Sequence, residues 1–239
     1  SYVSGSLFEN NITNGYGGAL NSGYYQVIVD TDFTGNAART NGGALYAGNW
    51  TYLIADKDDI VFYNNKAGVT ISGVVGSYTA TDGRYNDVYM PNNHVLGLNA
   101  NEGHSIIFNG TVESTNTGSV IRIGRTDSIT YRVVKDTIDG YDSVVITQSG
   151  GKNIFNNSVT FGSIELRNNP DVKFGSAVQA DGTTTTGSVT LLNNFSIQDT
   201  YGANIDFRNE DINSNELAKV TLKSAKSKFS YEKLVSQSF

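Results

Sequence analysis

Apolar residues occur along this chain in short runs of three to six, and stretches rich in Asn, Gly, Ser, Thr and Asp separate them. Residues 27–29, 106–108 and 144–146 are examples. Runs of this length between turn residues are typical of β-strands, and the chain shows little of the 3.6-residue period of an amphipathic helix. The pattern therefore predicts an all-β protein made of many short strands.

One strand-and-turn pattern occurs twice near the start of the chain, with a period of 25 residues. Each copy opens with Phe-x-x-Asn, and Gly-Gly-Ala-Leu begins nine residues after its Phe. A third Phe-x-x-Asn begins 29 residues after the second, without the glycine motif at the expected offset. Such repetition predicts one supersecondary unit stacked on itself. The motif residues, which are the first candidate binding residues, are Phe8, Asn11, Gly17, Gly18, Phe33, Asn36, Gly42, Gly43, Phe62 and Asn65.

Each 25-residue unit divides into three short strands, which is the size of one coil of a right-handed parallel β-helix with three sheets. Division of the chain length by this period predicts roughly nine or ten coils. In such a coil the phenylalanines would stack inside, and the asparagines would bond adjacent coils at a turn. The glycines would allow positive φ at a second corner. We therefore expect the motif residues to be mainly structural.

Breaks in the rhythm predict how the chain is organised. We expect a single β-helix over 1–239 that belongs to a longer protein, and we expect its regular part to be followed by an insertion. The predicted parts are the regular repeats at 1–68, an inserted loop at 69–93, less regular coils at 94–223 and a basic tail or cap at 224–239.

The inserted loop at 69–93 is the second candidate binding region. Insertions in repeat arrays lie in loops, often on the binding face, and large aromatic and Arg side chains dominate recognition surfaces. The residues of these types are Tyr78, Arg84, Tyr85 and Tyr89. The alternative is a loop that packs only on itself.

Composition excludes several functions. The net charge of -6 argues against nucleic-acid binding, and the absence of cysteine excludes disulfides, thiolate metal sites and a cysteine nucleophile. No apolar stretch reaches the ~18 residues of a membrane-spanning helix. Because no zinc, calcium or phosphate-loop motif occurs, we predict no metal site and no cofactor.

A polysaccharide-degrading enzyme is an alternative, because such enzymes occur among β-helices. They require clustered acids, and two pairs of aspartates lie 26 residues apart in the first repeats. Aspartate is also common in turns. Of the two histidines, His94 and His104, the second is expected to be a solvated turn residue. We therefore predict no catalytic residue. The candidate acids are Asp30, Asp32, Asp56, Asp58 and Asp59.

The segments FENNITNGYGGAL (8–20) and FTGNAARTNGGALY (33–46) resemble the paired FxxN and GGA(I/L/V) repeats of the chlamydial polymorphic outer membrane proteins. Similar repeats occur in other autotransporter passenger domains. The resemblance extends over 86–112, where the sequence is similar to the segment in which such passengers leave the repeat array.

The resemblance implies a secreted virulence factor or one displayed at the bacterial cell surface or outer membrane. Anchoring would use a barrel that this sequence does not include. The implied role is that of an adhesin whose partner is a host-cell surface protein or glycan, with self-association possible and no nucleic acid bound. A passive structural stalk is the remaining alternative.

Overall fold

The computed structural model describes residues 1–124, 128–135, 138–145, 151–166, 171–197, 204–206, 219–222 and 229–231. Side chains are described up to residue 124 and within 151–166 and 171–192. All elements in these ranges are β-strands, which confirms the predicted all-β class. No helix long and apolar enough to cross a membrane occurs in the described ranges.

Most of the described strands are short, as the spacing of turn residues predicts. The first eleven are β1 (Tyr2–Ser4), β2 (Leu7–Glu9), β3 (Ile12–Thr13), β4 (Leu20–Asn21), β5 (Tyr25–Val29), β6 (Asp32–Thr34), β7 (Ala37–Ala38), β8 (Leu45–Tyr46), β9 (Trp50–Ala55), β10 (Ile60–Tyr63) and β11 (Lys66–Ala67). The next nine are β12 (Thr70–Ser72), β13 (Thr79–Thr81), β14 (Arg84–Tyr89), β15 (Val95–Ala100), β16 (Ser105–Phe108), β17 (Thr111–Glu113), β18 (Val120–Ile123), β19 (Ser128–Lys135) and β20 (Ile138–Val145). The last nine are β21 (Lys152–Phe155), β22 (Ser158–Leu166), β23 (Asp171–Phe174), β24 (Ser176–Val178), β25 (Thr184–Thr186), β26 (Ser188–Ile197), β27 (Asn204–Asp206), β28 (Lys219–Leu222) and β29 (Phe229–Tyr231).

One sheet carries the phenylalanines of the repeat motif. Its strand order is β2-β6-β10-β16-β21-β23-β27, and every neighbouring pair is parallel. The register aligns Phe8 with Phe33, and Phe33 with Phe62. Successive repeats therefore stack one above the next, and we call the strands at one height of this stack a level.

A larger sheet holds the other strands of each level. One row in it runs β1-β5-β9-β15-β18, and the long strands β22 and β26 continue this row. Strands β4, β8, β14 and β17 form a second row, which also reaches β22. Strands β3, β7 and β11 form a third, short row that ends on β14. The mostly parallel pairing is consistent with the predicted β-helix.

Three antiparallel hairpins leave the stack within the described ranges. They consist of β12 with β13, β19 with β20, and β24 with β25. The predicted insertion at 69–93 contains the first hairpin and the strand β14. The phenylalanine sheet shows seven levels in the described ranges, and the hairpins take further residues out of the stack.

The core lies inside the stack. In β10 the side chains alternate, so that Ile60 and Phe62 are fully buried and their neighbours only partly. Leucine, isoleucine and valine from the other rows meet the phenylalanines in one continuous cluster. Burial of this apolar surface is the main stabilising term.

A smaller apolar cluster lies on the opposite face of β5 and β9. Val27, Val29, Tyr52 and Ile54 form it, and each is at most 5% exposed.

The first strand of the second hairpin, β19, contacts β1, which belongs to the same row of strands as β5 and β9. Of the predicted tail at 224–239, the structure describes only β29, which pairs in parallel with β26, and the other residues lie outside the described ranges.

Candidate functional site

The phenylalanines of the repeat motif form a continuous column of stacked rings. The ring of Phe62 lies 4.7 Å from that of Phe33 and 4.9 Å from that of Phe108, between centroids. The column starts at Phe8, where the ring distance to Phe33 is 5.3 Å. All but Phe8 are buried, so the Phe33 and Phe62 side chains are not available to a partner. Offset stacking of this kind stabilises the interior. The further members of the column are Phe155 and Phe174.

The motif asparagines form a row of hydrogen-bonded amides beside this column. Asn11 Nδ2 donates to Asn36 Oδ1 at 2.9 Å, and Asn36 Nδ2 donates to Asn65 Oδ1 at 2.9 Å. The backbone N–H of Asn11 donates to the same Asn36 oxygen. Asn36 and Asn65 are fully buried, and these bonds satisfy polar groups that would otherwise be costly to bury.

Asp87, which does not belong to a Phe-x-x-Asn motif, lies at the end of this row of amides. Asn65 Nδ2 donates to Asp87 Oδ1 at 3.0 Å, and the backbone N–H of Gly110 donates to Asp87 Oδ2. Asp87 is fully buried. Burial raises the pKa of this carboxyl to about 7, although the hydrogen bonds from Asn65 and Gly110 act in the opposite direction.

The glycines of the motif make close contact between levels possible. A Cβ on Gly18 would lie 2.0 Å from Gly43 O, and a Cβ on Gly43 would lie 2.3 Å from Asn86 O. Gly17 and Gly42 have φ of 66° and 70°, a region that favours glycine. These four residues are therefore structural in the positions that the repeat predicts.

Asn86 replaces the missing third glycine motif. Its side-chain Oδ1 accepts the backbone N–H of Gly42 at 2.8 Å, where the first repeat uses a backbone carbonyl for Gly17. The sequence signal is an Asn-Asp pair at the start of the segment 86–112, which the repeat spacing alone does not identify as a replacement for the missing motif.

The third position of each Phe-x-x-Asn motif is a left-handed corner. It is occupied by Asn10, Gly35 and Asn64, with φ of 55°, 66° and 55°. Asparagine and glycine are the residues that adopt this conformation most readily. This explains the identity of a position that the motif itself leaves open.

Arg84 and Tyr78, two residues of the predicted loop site, lie in different surroundings. Tyr78 is half-buried and directly precedes β13. Arg84 is exposed, and its Nη2 contacts Glu113 Oε1 at 2.5 Å and Asn41 Oδ1 at 3.1 Å. Arg84 thus joins the insertion to two other levels.

Tyr85 is half-buried at the start of β14. The ammonium of Lys66 lies 4.9 Å from the centre of its ring. Burial raises the pKa of Tyr85 to about 12, and the Asp181 carboxylate adds to this rise. Interaction with the Tyr85 hydroxyl in turn lowers the pKa of Asp181 to about 2.

Tyr89 belongs to a second aromatic column, on the outside of the stack. Its ring lies 5.8 Å from that of Tyr46, and the ring of Tyr46 lies 4.6 Å from that of Tyr16. Burial raises the pKa of the Tyr46 hydroxyl, and the neighbouring tyrosines add to this effect. Tyr85 and Tyr89 therefore have separate neighbours, and the structure does not bring the predicted loop residues into one cluster.

The most exposed part of the insertion is the tip of its hairpin. Val74 is 71% exposed and Val75 is 86% exposed, between glycines that have positive φ at positions 73 and 76. Two adjacent exposed valines are unusual at a turn, where polar residues predominate. The tip is thus an apolar projection from the stack.

The candidate acids are bound to backbone N–H groups at a corner of the stack. Asp30 Oδ1 accepts the N–H of Asp56 at 2.6 Å, and Asp32 Oδ1 accepts the N–H of Val61 at 2.7 Å. Burial raises the pKa of Asp32, and this hydrogen bond opposes the rise. Asp59 Oδ1 accepts the N–H of Ser105 at 2.8 Å.

The remaining titratable candidates are similarly placed. Asp56 accepts a hydrogen bond from the Asn101 side chain, and Asp58 accepts the N–H of Asp59. His104 Nδ1 lies 3.8 Å from Asp59 Oδ1, and the backbone of His94 takes part in pairing with Val120. No group of three or more metal-ligating residues occurs in the ranges that the structure describes.

Comparison with known proteins identifies one segment of the chain. Residues 30–48 match the sequence profile of the Chlamydia polymorphic membrane protein repeat. The matched segment includes the second Phe-x-x-Asn and the second Gly-Gly-Ala-Leu, which stack on the first copies as described above. No curated protein and no solved structure matches the chain. The chain therefore contains a repeat of the Chlamydia polymorphic membrane protein type.

Proposed function

We propose that this chain is a surface-displayed adhesin or host-interaction module, the passenger domain of a bacterial autotransporter. The observation that carries the proposal is the match of residues 30–48 to a polymorphic membrane protein repeat within a stack of parallel strands. We further infer that the stack is a right-handed parallel β-helix with three sheets. The module would lie at the bacterial surface or outer membrane, or be secreted, and its partner would be a host-cell surface protein or glycan.

The placement of the motif residues supports separate roles for the repeats and the insertion. The phenylalanines, asparagines and glycines are used inside the stack, so the repeat array acts as a rigid support. The insertion projects from that support and presents two exposed valines at its tip. Binding loops on rigid scaffolds are arranged in this way. We therefore assign partner contact to the hairpin of β12 and β13.

The proposal is that of a non-catalytic protein. Glycosidic cleavage requires two carboxyl groups that are free to act on substrate. The aspartates at 30, 32 and 59 instead accept backbone N–H groups of neighbouring levels, which is a structural use.

The test is binding of the purified chain to host cells, measured by flow cytometry over a concentration series. The triple variant Val74→Ser, Val75→Ser and Tyr78→Ala changes the hairpin without touching the core. Tyr24→Ala is the matched control, because Tyr24 is 72% exposed and lies outside the insertion.

We expect saturable binding by the wild type and the control, and at least a tenfold loss for the triple variant at unchanged melting temperature. Full binding by the triple variant would refute the hairpin as the contact. Absence of binding by the wild type would refute adhesion in favour of a passive stalk.

A further inference from the structure

The sequence contains three Asn-Gly pairs, in which asparagine is chemically more labile than before other residues. Glycine has no side chain to hinder its nitrogen, so this nitrogen can approach the amide carbon of the preceding asparagine. The pairs are Asn14-Gly15, Asn41-Gly42 and Asn109-Gly110. The structure places them in different surroundings, and we therefore compare their reactivity.

In two of the pairs the glycine N–H is bound by a side chain. The Gly42 N–H donates to Asn86 Oδ1 at 2.8 Å, and the Gly110 N–H donates to the Asp87 carboxylate. Asn109 is also buried, and both ends of its amide are hydrogen-bonded. A bound N–H must be released before its nitrogen can react, so these hydrogen bonds protect both pairs.

The pair Asn14-Gly15 lies in the turn between β3 and β4 and is open to reaction. Asn14 is exposed, and the Gly15 N–H has no hydrogen-bond partner in the part of the chain that the structure describes. The Gly15 carbonyl accepts the N–H of Thr40 at 3.1 Å and its hydroxyl at 2.6 Å. The pair is therefore held against the second level while its nitrogen stays free.

Arg39 of the second level is bound to the amide of this pair. Its Nη1 donates to Asn14 Oδ1 at 3.0 Å, and its backbone N–H donates to Thr13 O at 3.1 Å. The ion pairs found among the described residues do not include Arg39. A guanidinium at a carbonyl oxygen stabilises the negative charge that develops there when a nucleophile attacks the carbon.

Asn41 shows that this arginine contact is not sufficient. Its Oδ1 also accepts a hydrogen bond from an arginine, Arg84 Nη2, at 3.1 Å. The nitrogen that would attack its amide carbon is nevertheless bound to Asn86. Within the described residues, a free glycine nitrogen and an arginine on the amide oxygen therefore occur together only at Asn14.

We propose that Asn14 is a site of spontaneous deamidation that Arg39 assists. The Gly15 nitrogen loses its proton to solvent and attacks Asn14 Cγ, and Oδ1 takes up the negative charge beside Arg39. The Cγ–Nδ2 bond then breaks, and ammonia leaves with a proton from solvent. Addition of water to the resulting cyclic imide gives aspartate or isoaspartate, so water is the one co-reactant.

The reaction changes the first level in charge and in backbone. It replaces a neutral amide by a carboxylate within reach of Arg39, and isoaspartate also adds a methylene to the main chain between β3 and β4. Because the reaction needs neither a partner nor display at a surface, it goes beyond the proposed function and is independent of it.

The test is incubation of the purified chain at neutral pH, followed by digestion at low pH and mass spectrometry of the peptides. The three pairs are compared in the folded chain and in urea. Arg39→Gln removes the guanidinium, and Lys57→Gln, at another exposed position, is the matched control. Gly15→Ala hinders the nitrogen and is compatible with the fold, because a Cβ there meets only Thr13 Oγ1, at 3.8 Å.

In the folded chain we expect Asn14 to convert roughly tenfold faster than Asn41 and Asn109, the factor that one protecting hydrogen bond supplies. In urea the three pairs should convert at similar rates. Conversion of Asn14 should be slower in Arg39→Gln and in Gly15→Ala, and unchanged in Lys57→Gln.

Equal rates for the three pairs in the folded chain would overturn the proposed site. A difference between the pairs that persists in urea would also overturn it, because local sequence and not the fold would then set the rates. An unchanged rate in Arg39→Gln would overturn the role of the guanidinium.

Discussion

At the scale of single residues, Asp87 is the most unusual group in the interior. It takes the place of an asparagine at the end of a row of amides. Its carboxylate accepts hydrogen bonds from Asn65 and Gly110, and its backbone carbonyl accepts the N–H of Ala44. An ionised carboxylate can accept hydrogen bonds at both oxygens, which an amide cannot do. The cost is that a charge is buried.

Asp87 makes the stability of the protein depend on pH. The pKa of its carboxyl is about 7 in the folded protein and 3.8 in the reference state, so the folded form binds the proton more tightly. Its contribution to the free energy of unfolding is present at low pH and is lost as pH rises from about 4 to 7, by roughly 4 kcal/mol. Urea unfolding between pH 4 and 8 measures this loss.

The variant Asp87→Asn is the comparison for this prediction. Its amide places a donor among donors, which lowers stability by an amount that does not vary with pH. We expect the difference between wild type and variant to change with pH between 4 and 7. A difference that is constant over this range would contradict the assigned pKa shift.

At the scale of elements, the corners decide how closely the strands of successive levels approach. Gly43 shows this without any special φ: its missing Cβ leaves the space into which the Asn86 carbonyl and the Lys66 N–H enter. The β8–β14 pairing, in which Leu45 aligns with Val88, begins two residues later. The glycine therefore controls pairing rather than turn geometry.

Gly43→Ala is expected to destabilise the protein by roughly 1–3 kcal/mol, the range for overpacking of an interior. A Cβ at this position would lie 2.6 Å from the Lys66 nitrogen, so strands must move apart. Thermal unfolding measures the effect. Gly23→Ala is the matched control, because a Cβ there meets nothing within 4 Å, and equal melting temperatures for the two variants would refute the argument.

At the scale of the whole molecule, the stack couples each level only to its neighbours. The phenylalanine column is the clearest example, since each interior ring contacts the ring above and the ring below. In such arrays the stability of a level depends on the levels next to it. Removal of a ring from the middle of the column is therefore expected to lower the free energy of unfolding more than removal of a ring from its end.

Phe62→Ala is expected to cost roughly 3–5 kcal/mol, because it leaves a cavity and removes two ring contacts. Phe8→Ala should cost markedly less, because that ring is only partly buried and has one stacked neighbour within the column. Urea unfolding with hydrogen exchange measures both. Similar decreases in the free energy of unfolding in the two variants would show that the position of a ring in the column does not affect its contribution to stability.

Sequence reasoning predicted the structure of the parts of the molecule that repeat. Phe33, Asn36 and Gly42 stack on their copies as the spacing predicts. It could not predict Asn86 and Asp87, because a side chain there replaces what backbone and amide groups supply in other repeats. For the same reason it did not distinguish the three Asn-Gly pairs, two of which these side chains protect.

The row of amides has a direction of donation, which differs between its first part and the pair Asn109–Asn156 among the described residues. From Asn11 to Asn65 each amide donates toward higher residue numbers, whereas Asn156 donates back to Asn109. Asp87 lies between these two parts of the row. The donor ends of the amides on both sides are directed toward this point, where a negative charge is favourable. Extra repeats grafted into this protein would therefore need to respect the polarity of the half that receives them, and a graft across Asp87 would need an anion of its own.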